Sequence, residues 1–442
     1  MRLNIDRIVA SLIAGLGLVA AGSVLACKDI TSLAQENPGA LSGTTLYTAA
    51  NSQLIVNGAI ADFECAYARY VVGSGLLSDE LSVGISNTAN FDYDARRLLT
   101  NAAYGTNNCA ATPSSTQQPG IYTPLSTARA SADTAAAYIE TFSDALITNR
   151  AKLLAQSYAY AGYSLILLGE GMCTAAINLG PEIGPAALFA EARSRFDKAI
   201  LQATTANDAT TLALARLGRA RALLDLGGAA NLAAAAADAA LVPATFGVTT
   251  SPDAINARRQ NALFINISQS SFSTVDTSFR NVLVPGGNTQ DPRVAVTDLA
   301  RNGTATGSRI FLPAKAATNV TAMRIASYAE AQLIIAENAA STGDLNGAAA
   351  AINLARARTT GVPAYTLPAG ATAADVRNQI IEERRREFFV EGHRLGDLRR
   401  YALAFLPVAG AAYQYGGVYG TQTCFPLPDV ERINNPTIAK GP

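Results

Sequence analysis

Apolar positions recur at helical spacing along most of the chain. Leu54, Ile55, Ile60, Phe63 and Tyr67 predict a helix over 44–71, and Tyr138, Ile139 and Phe142 predict one over 123–147. Between them, 85–122 is rich in Asn, Thr, Ser and Gly and reads as loops. Helices then come in pairs. Residues 150–169, carrying Leu153, Tyr158, Tyr163, Leu165 and Leu168, pair with 185–204, carrying Phe189, Ala192, Phe196 and Ile200. Residues 208–227 pair with the nearly all-Ala segment 229–241, and 322–341 pair with 345–358 across Gly343-Asp344. The stretch 244–320 breaks the pattern. Pro252, Pro285, Pro292 and Gly286-Gly287 punctuate short Ile/Phe/Val segments such as Leu263 to Ile267, which predicts loops with a few short strands.

Helical hairpins with Leu-Gly ends and small residues at their crossing points resemble tetratricopeptide repeats. A plain helical bundle is the alternative. Ala is the best helix former, and small side chains let two helices approach closely, so the Ala usage fits either. The fold class is mainly α, with the loop-rich insert at 244–320 separating a helical region, 27–243, from a second one, 321–442.

Residues 1–26 read as an export signal. Arg2 and Arg7 precede an uncharged apolar run from Ile8 to Ala21, and small residues follow. The run closes on Val24-Leu25-Ala26-Cys27, which resembles a lipobox, so Cys27 is the expected lipidation site. Acyl chains on that Cys anchor a protein to a membrane without a spanning helix. An ordinary secretory signal with a chance Cys is the rival reading. Beyond Cys27 there are four cysteines, an even number that suits an oxidising compartment and two disulfides. Four cysteines allow three connectivities and the sequence does not choose among them. We favour Cys65–Cys109, with Cys173–Cys424 holding the chain end back against the helices. No CxxC pair is present and His393 is the one histidine, so no metal site is expected.

Charge sharpens this picture. The 442 residues carry 34 Lys and Arg against 34 Asp and Glu, and only 15% are charged, so there is no net basicity to drive nucleic-acid binding. Much of that charge sits in one stretch, Asp375 to Tyr401. Glu383, Glu387 and Glu391 lie four apart and share a helix face, and Arg394, Asp397 and Arg400 follow at intervals of three. Such mixed faces usually mean charges partnered within or across helices. A pair of catalytic carboxylates is the rival, but Arg384, Arg385 and Arg386 would lower carboxyl pKa values, the wrong direction for a general acid. No GxSxG, HExxH or P-loop pattern occurs. The reading is a structural charge network in a protein that is not an enzyme and uses no cofactor.

At this point the residues resemble a family. Arg324 to Arg358, then Glu383-Arg-Arg-Arg-Glu387 with Glu391-Gly-His-Arg394 and Asp397-Leu-Arg-Arg-Tyr401, then Phe425-Pro-Leu-Pro428 with Glu431 and Asn435-Pro436, are similar in kind and order to the SusD/RagB family of outer-membrane nutrient-binding lipoproteins. Leu77-Ser-Asp-Glu80 after the first helix and the lipobox agree. The resemblance implies a SusD-like, mainly α fold. It also implies a lipid-anchored outer-membrane protein facing the cell exterior and capping a SusC-type TonB-dependent transporter. Its ligand would be an oligomeric nutrient, an oligosaccharide most often and a peptide in some members. A lipoprotein that docks a partner through its helical repeats, without binding a glycan, is the alternative.

In that family aromatic platforms and polar side chains on variable loops hold the ligand. Here the loops offer Asn90, Phe91, Tyr93, Tyr104, Asn107, Tyr122, Phe272, Tyr415 and Tyr419. The first choice is Tyr93 with Asn90 and Tyr104. The chain has no Trp, the strongest stacking side chain.

Overall fold

The structure is a computed structural model that describes residues 46–84, 88–109, 120–303 and 307–438, with only the backbone at 88–90 and at 103. The chain divides into two units, 1–51 and 52–442. In the first, the described part ends in a 3₁₀ turn, Ala49–Asn51. The signal segment 1–26 and Cys27 lie outside the described residues.

The second unit is a succession of antiparallel helices. Helix α1 (Ser52–Leu77) packs on α2 (Tyr122–Glu140), α2 on α3 (Arg150–Gly171), α3 on α4 (Pro185–Thr205) and α4 on α5 (Ala209–Leu226). The series continues through α6 (Ala229–Ala239), α7 (Tyr328–Ser341), α8 (Leu345–Arg356) and α9 (Ala373–Glu387), and a short α10 (Arg394–Arg400) returns to α1 and α3. This is the mainly α, hairpin-built architecture the pattern predicts. Helix starts follow local chemistry. Asp208 accepts from the Thr211 N–H to cap α5, Asp344 accepts from the Gly347 N–H to cap α8, and Thr372 with Asp375 forms a capping box on α9. Pro185 opens α4, where its missing N–H costs nothing.

Small residues set the helix spacing. Phe196 is fully buried between α3 and α5, and a Cβ added to Gly162 or Gly218 would lie 2.7 or 2.3 Å from its ring. Tyr163 meets the same ring edge-on at 5.2 Å. Elsewhere Ala fills the contacts: Ala192, Ala199 and Ala203 on α4 and Ala215, Ala220 and Ala222 on α5 are all buried. Helix α1 starts later and runs further than predicted, through Gly73 and Gly75. Those glycines sit where a Cβ would reach 2.4 Å from Ile121 and 2.9 Å from Leu81, so close approach, not a helix end, requires them.

Among the described residues, eight short strands make four two-stranded antiparallel sheets: β1 (Leu81–Val83) with β5 (Ser273–Val275), β2 (Ala175–Ala176) with β3 (Glu182–Ile183), β4 (Gly247–Thr249) with β8 (Arg324–Ser327), and β6 (Val296–Asn302) with β7 (Arg309–Pro313). Two of these pairs stitch the stretch 244–320 to the helical body at the end of α1 and the start of α7. Three expectations are corrected. Residues 324–327 form a strand, and the helix begins at Tyr328. Leu263–Ile267 is helical, because Asn261 accepts from the Phe264 N–H and caps a turn, Ala262–Phe264, that continues as a π-helical turn to Gln269. The span 85–122 is not all loop, since Thr88–Asp94 and Ala103–Thr106 are short helices.

Two bridges lock the ends of this arrangement. Cys65 on α1 joins Cys109, with Cα atoms 6.2 Å apart, and Cys173 after α3 joins Cys424, with Cα atoms 5.1 Å apart. Both separations suit a disulfide. Next to the second, the Cys173 N–H donates to the Phe425 carbonyl and the Phe425 N–H to the Gly171 carbonyl, so the last segment is held covalently and by backbone bonds at one point.

Candidate functional site

The charged stretch 383–400 is buried at its carboxylates and half-buried at Arg394 and Arg400, and each of its six network residues has an opposite charge at hand. Glu383 receives the Arg356 guanidinium at 2.5 and 3.1 Å, Arg293 at 2.6 Å and the Gln379 amide at 2.6 Å. Burial pushes its carboxyl pKa up, but the Arg356 hydrogen bonds and the charges of Arg293 and Arg356 outweigh it and hold the group below its ordinary value. Arg324 reaches Glu387 at 2.9 Å and Glu391 at 2.8 Å, and Lys315 donates to Glu391 at 2.6 Å. Arg394 grips Asp79 through two bonds of 2.6 Å, Arg384 holds Asp397 at 2.9 Å, and Arg400 holds Glu337 at 2.5 Å. His393 is buried against Phe388, with Nε2 3.3 Å from Arg221. Burial, then the positive charge of Arg221 and Arg384, drives its pKa well down, so it is neutral. A cavity of about 270 Å³ touches this network at Lys315, Arg324, Glu387 and Glu391, but those charges already face one another.

The ligand-contact residues preferred from sequence are in the wrong place. Tyr93 and Tyr104 are both 0% exposed. Their rings meet edge-on at 6.3 Å, and both pack on Phe425, at 5.5 and 5.3 Å. The Tyr104 hydroxyl donates to the Pro426 carbonyl at 2.8 Å. These rings build the core where the chain's end closes over the body, and no face is left for a ligand. The Asn90 side chain lies outside the described residues. Tyr122 and Phe272, from the wider set, are buried as well.

Partly exposed aromatic groups lie elsewhere. Tyr415 and Tyr419, with buried Tyr413 beneath them, ride on a tight turn made by Gly416 and Gly417, both at positive φ, with Ala412 and Val418 bridged across it. Glycine has no Cβ to clash at such angles, so the turn needs it. Phe91 stacks on Tyr415 with centroids 5.1 Å apart and planes 26° apart, and Tyr413 meets both rings edge-on. Two polar tethers fix the turn. The Tyr413 hydroxyl donates to buried Asp94 at 3.1 Å, where the Val83 N–H also donates, and the hydroxyls of Tyr415 and Ser308 touch. Burial pushes the Asp94 carboxyl up to about 7.

Beneath this turn opens a cleft of about 580 Å³. Tyr419, Gln414 and Pro407 line it from the aromatic segment, and Asp276, Ser278 and Arg280 line it from the segment after β5. Arg280 Nε donates to the Val275 carbonyl at 2.8 Å, and its guanidinium lies 4.5 Å from the Phe311 ring centre. Buried Arg96 lies 5.0 Å from the Tyr419 ring centre and donates to the Pro407 carbonyl. The cleft therefore offers a ring, hydroxyl and amide donors and acceptors, a cation and a carboxylate within one concave surface, which is how sites for polar ligands are built. Tyr415 and Tyr419 stood among the loop candidates from sequence, while Arg280, Asp276 and Arg96 did not. A signal for the turn was present: three Tyr within seven residues around a Gly-Gly pair.

Among the described residues no helix is long and apolar enough to cross a membrane, and no cluster of three or more His, Cys, Asp or Glu is arranged to hold a metal ion.

Residues 313–435 match the model of the SusD family. A search of curated proteins finds no match. Among solved structures, a SusD superfamily protein from Bacteroides vulgatus is similar over 89% of this chain and 98% of its own, with a TM-score of 0.65 and 16% identity. Surface glycan-binding protein A from Bacteroides fluxus is similar over 87% of this chain and 96% of its own (TM-score 0.65, 18% identity). Surface glycan-binding protein A from Bacteroides thetaiotaomicron, solved in complex with laminarihexaose, is similar over 88% and 98% (TM-score 0.65, 14% identity).

Proposed function

We propose that this chain, a SusD-family protein with the family's helical fold, is a binding protein for an oligosaccharide and holds it in the cleft beneath the Tyr413–Tyr419 turn. One observation carries the reading: the turn that bears partly exposed Tyr415 and Tyr419 overhangs a cleft of about 580 Å³ that also presents Gln414, Ser278, Asp276 and Arg280. Sugar rings carry C–H groups on their faces and hydroxyls at their edges, so a ligand of that kind needs an aromatic face and convergent polar groups together. Two similar structures are glycan-binding proteins, one with laminarihexaose bound, which supports the ligand class. The carboxylates of the charged stretch are held by arginines, which favours binding without catalysis.

The wider setting is inferred from the family. Acyl chains on Cys27 tether the body to the outer membrane with the cleft facing outward, and a SusC-type TonB-dependent transporter receives the ligand. Calorimetric titration of residues 28–442 with laminarihexaose and other oligosaccharides tests the site. Tyr419→Ala is expected to weaken binding at least about tenfold, as removal of a central aromatic contact does. Unchanged affinity in that variant would place the ligand elsewhere.

A further inference from the structure

The charges around the cleft are not evenly satisfied. Asp79 lines it but is held by Arg394 through two bonds of 2.6 Å, and Arg309 lines it but is held by Asp298 at 2.7 Å. Those two pairs are neutral. Arg280 differs. Its Nε meets a backbone carbonyl and its plane meets a ring, and no carboxylate is in ion-pair contact with it among the described residues. Arg96 is the same in kind: it is 2% exposed, it contacts Tyr419, Phe405 and a carbonyl, and its Nε has no hydrogen-bond partner among the described residues. Arg97 lies over Tyr413 at 5.4 Å.

The negative groups nearby, Asp276 and Asp298 for Arg280 and Asp94 for Arg96, act on these cations from a distance and make no ion-pair contact with them among the described residues. Asp276 caps the short turn after β5, its Oδ1 accepting from the Ser278 N–H at 2.9 Å. Asp92 and Asp94 lie behind the aromatic wall, and burial raises both carboxyls. A guanidinium without a direct ion-pair partner at the edge of a low-dielectric cleft attracts an anion more strongly than the same group in open water. The Arg96 charge behind Tyr419 works in the same direction. It offsets the negative face of that ring, which weakens its pull on the C–H groups of a neutral sugar and leaves the cleft better matched to an anion.

We infer that the cleft takes a glycan segment bearing an acidic group, with the carboxylate or sulfate at Arg280 and an adjacent sugar ring along Tyr419. This rests on the glycan reading of the same cleft. Arg280 is suited to the role because a guanidinium meets a carboxylate or sulfate through two parallel N–H donors, whereas an ammonium meets it as a point charge.

Titrations of residues 28–442 with three probes of similar length test it: laminarihexaose, an oligogalacturonate and a sulfated galactan oligomer, each at low and high salt. One or both acidic probes are expected to bind about tenfold tighter than the neutral probe at low salt, with the advantage shrinking as salt rises. Which acidic probe wins identifies the anion as carboxylate or sulfate. Arg280→Gln removes the advantage and its salt dependence, and Arg280→Lys restores part of it. Circular dichroism melts confirm that the variants are folded. Equal, salt-indifferent affinity for all three probes overturns the acidic assignment while the glycan site stands. Wild-type affinities retained by Tyr419→Ala overturn the site itself, and the acidic assignment with it.

Discussion

Arginine does opposite work in two parts of this molecule. In the network around α9 and α10, Arg293, Arg324, Arg356, Arg384, Arg394 and Arg400 each meet a carboxylate, mostly at 2.5–2.9 Å and out of solvent. Around the aromatic turn, Arg96, Arg97 and Arg280 meet rings and carbonyls instead. A guanidinium already paired has little left to offer a ligand, and removing its partner leaves a buried charge exposed to a dry interior. One held in place by rings is oriented but not neutralised. The first arrangement resists change and the second is ready to bind. Motif density alone points to the wrong one, since the charged motif is conspicuous in sequence and the binding arginines are scattered.

Four variants break or sharpen this contrast. The largest effect is expected from Glu383→Gln. It leaves Arg356 and Arg293 without their shared carboxylate, and breaking a buried pair of this kind costs about 3–5 kcal/mol, read from the urea unfolding midpoint. Arg394→Gln is next, at about 2 kcal/mol in the same assay, and it links the regions. With Arg394 gone, the Asp79 carboxylate at the cleft edge is unpaired, so acidic oligomers should bind more weakly in this variant.

The third prediction concerns pH. Glu80 lies beside Asp79, accepts from the Val390 N–H at 2.8 Å and is fully buried. Burial raises its carboxyl from an ordinary 4.5 to about 8. The folded state therefore holds this proton more tightly than the unfolded chain. The contribution is full below pH 4.5 and is lost as pH rises through about 8, with a slope of up to about 1.4 kcal/mol per pH unit. Glu383 and Asp397 have the opposite sign. Burial opposes their ionisation, but arginine partners lower both pKa values, so their contribution is lost on acidification. Glu80→Gln should flatten the fall in stability on the alkaline side and leave the acid limb intact, as measured by melting temperature across pH 3–9. The smallest stability change is expected for Arg280→Gln, within about 0.5 kcal/mol, because no buried carboxylate is orphaned. A destabilisation comparable to that of Glu383→Gln would place Arg280 in the scaffold.

Much of the helical body was legible because its signals are local. Phe189, Ala192, Phe196 and Ile200 repeat along one face, and Asp208 and Asp344 mark starts through their own side chains. The charged stretch was legible for the same reason, since i to i+4 spacing puts Glu383, Glu387 and Glu391 together before any tertiary contact. The binding residues were not. Tyr93 and Tyr104 sit in a segment whose Asn, Thr and Gly content reads as exposed loop, yet they are covered by Phe425 and Pro426, and the Tyr104 contact spans 322 positions of sequence. Burial by a distant segment leaves no local trace. The cleft is likewise assembled from 79–82, 276–280, 308–309 and 406–419, four segments with no shared motif. The strand at Arg324–Ser327 follows the same rule: its partner, β4, lies in the insert, and only that pairing takes it out of the helix.

The most direct measurement is a crystal structure of the chain with an acidic oligosaccharide bound. The account predicts a sugar ring along Tyr419, with the carboxylate or sulfate of that ring or its neighbour in hydrogen-bond contact with the Arg280 guanidinium and the Glu383–Arg356 pair undisturbed. A ligand seated away from the Tyr413–Tyr419 turn, or one whose acidic group points to solvent while Arg280 stays without it, would contradict the account.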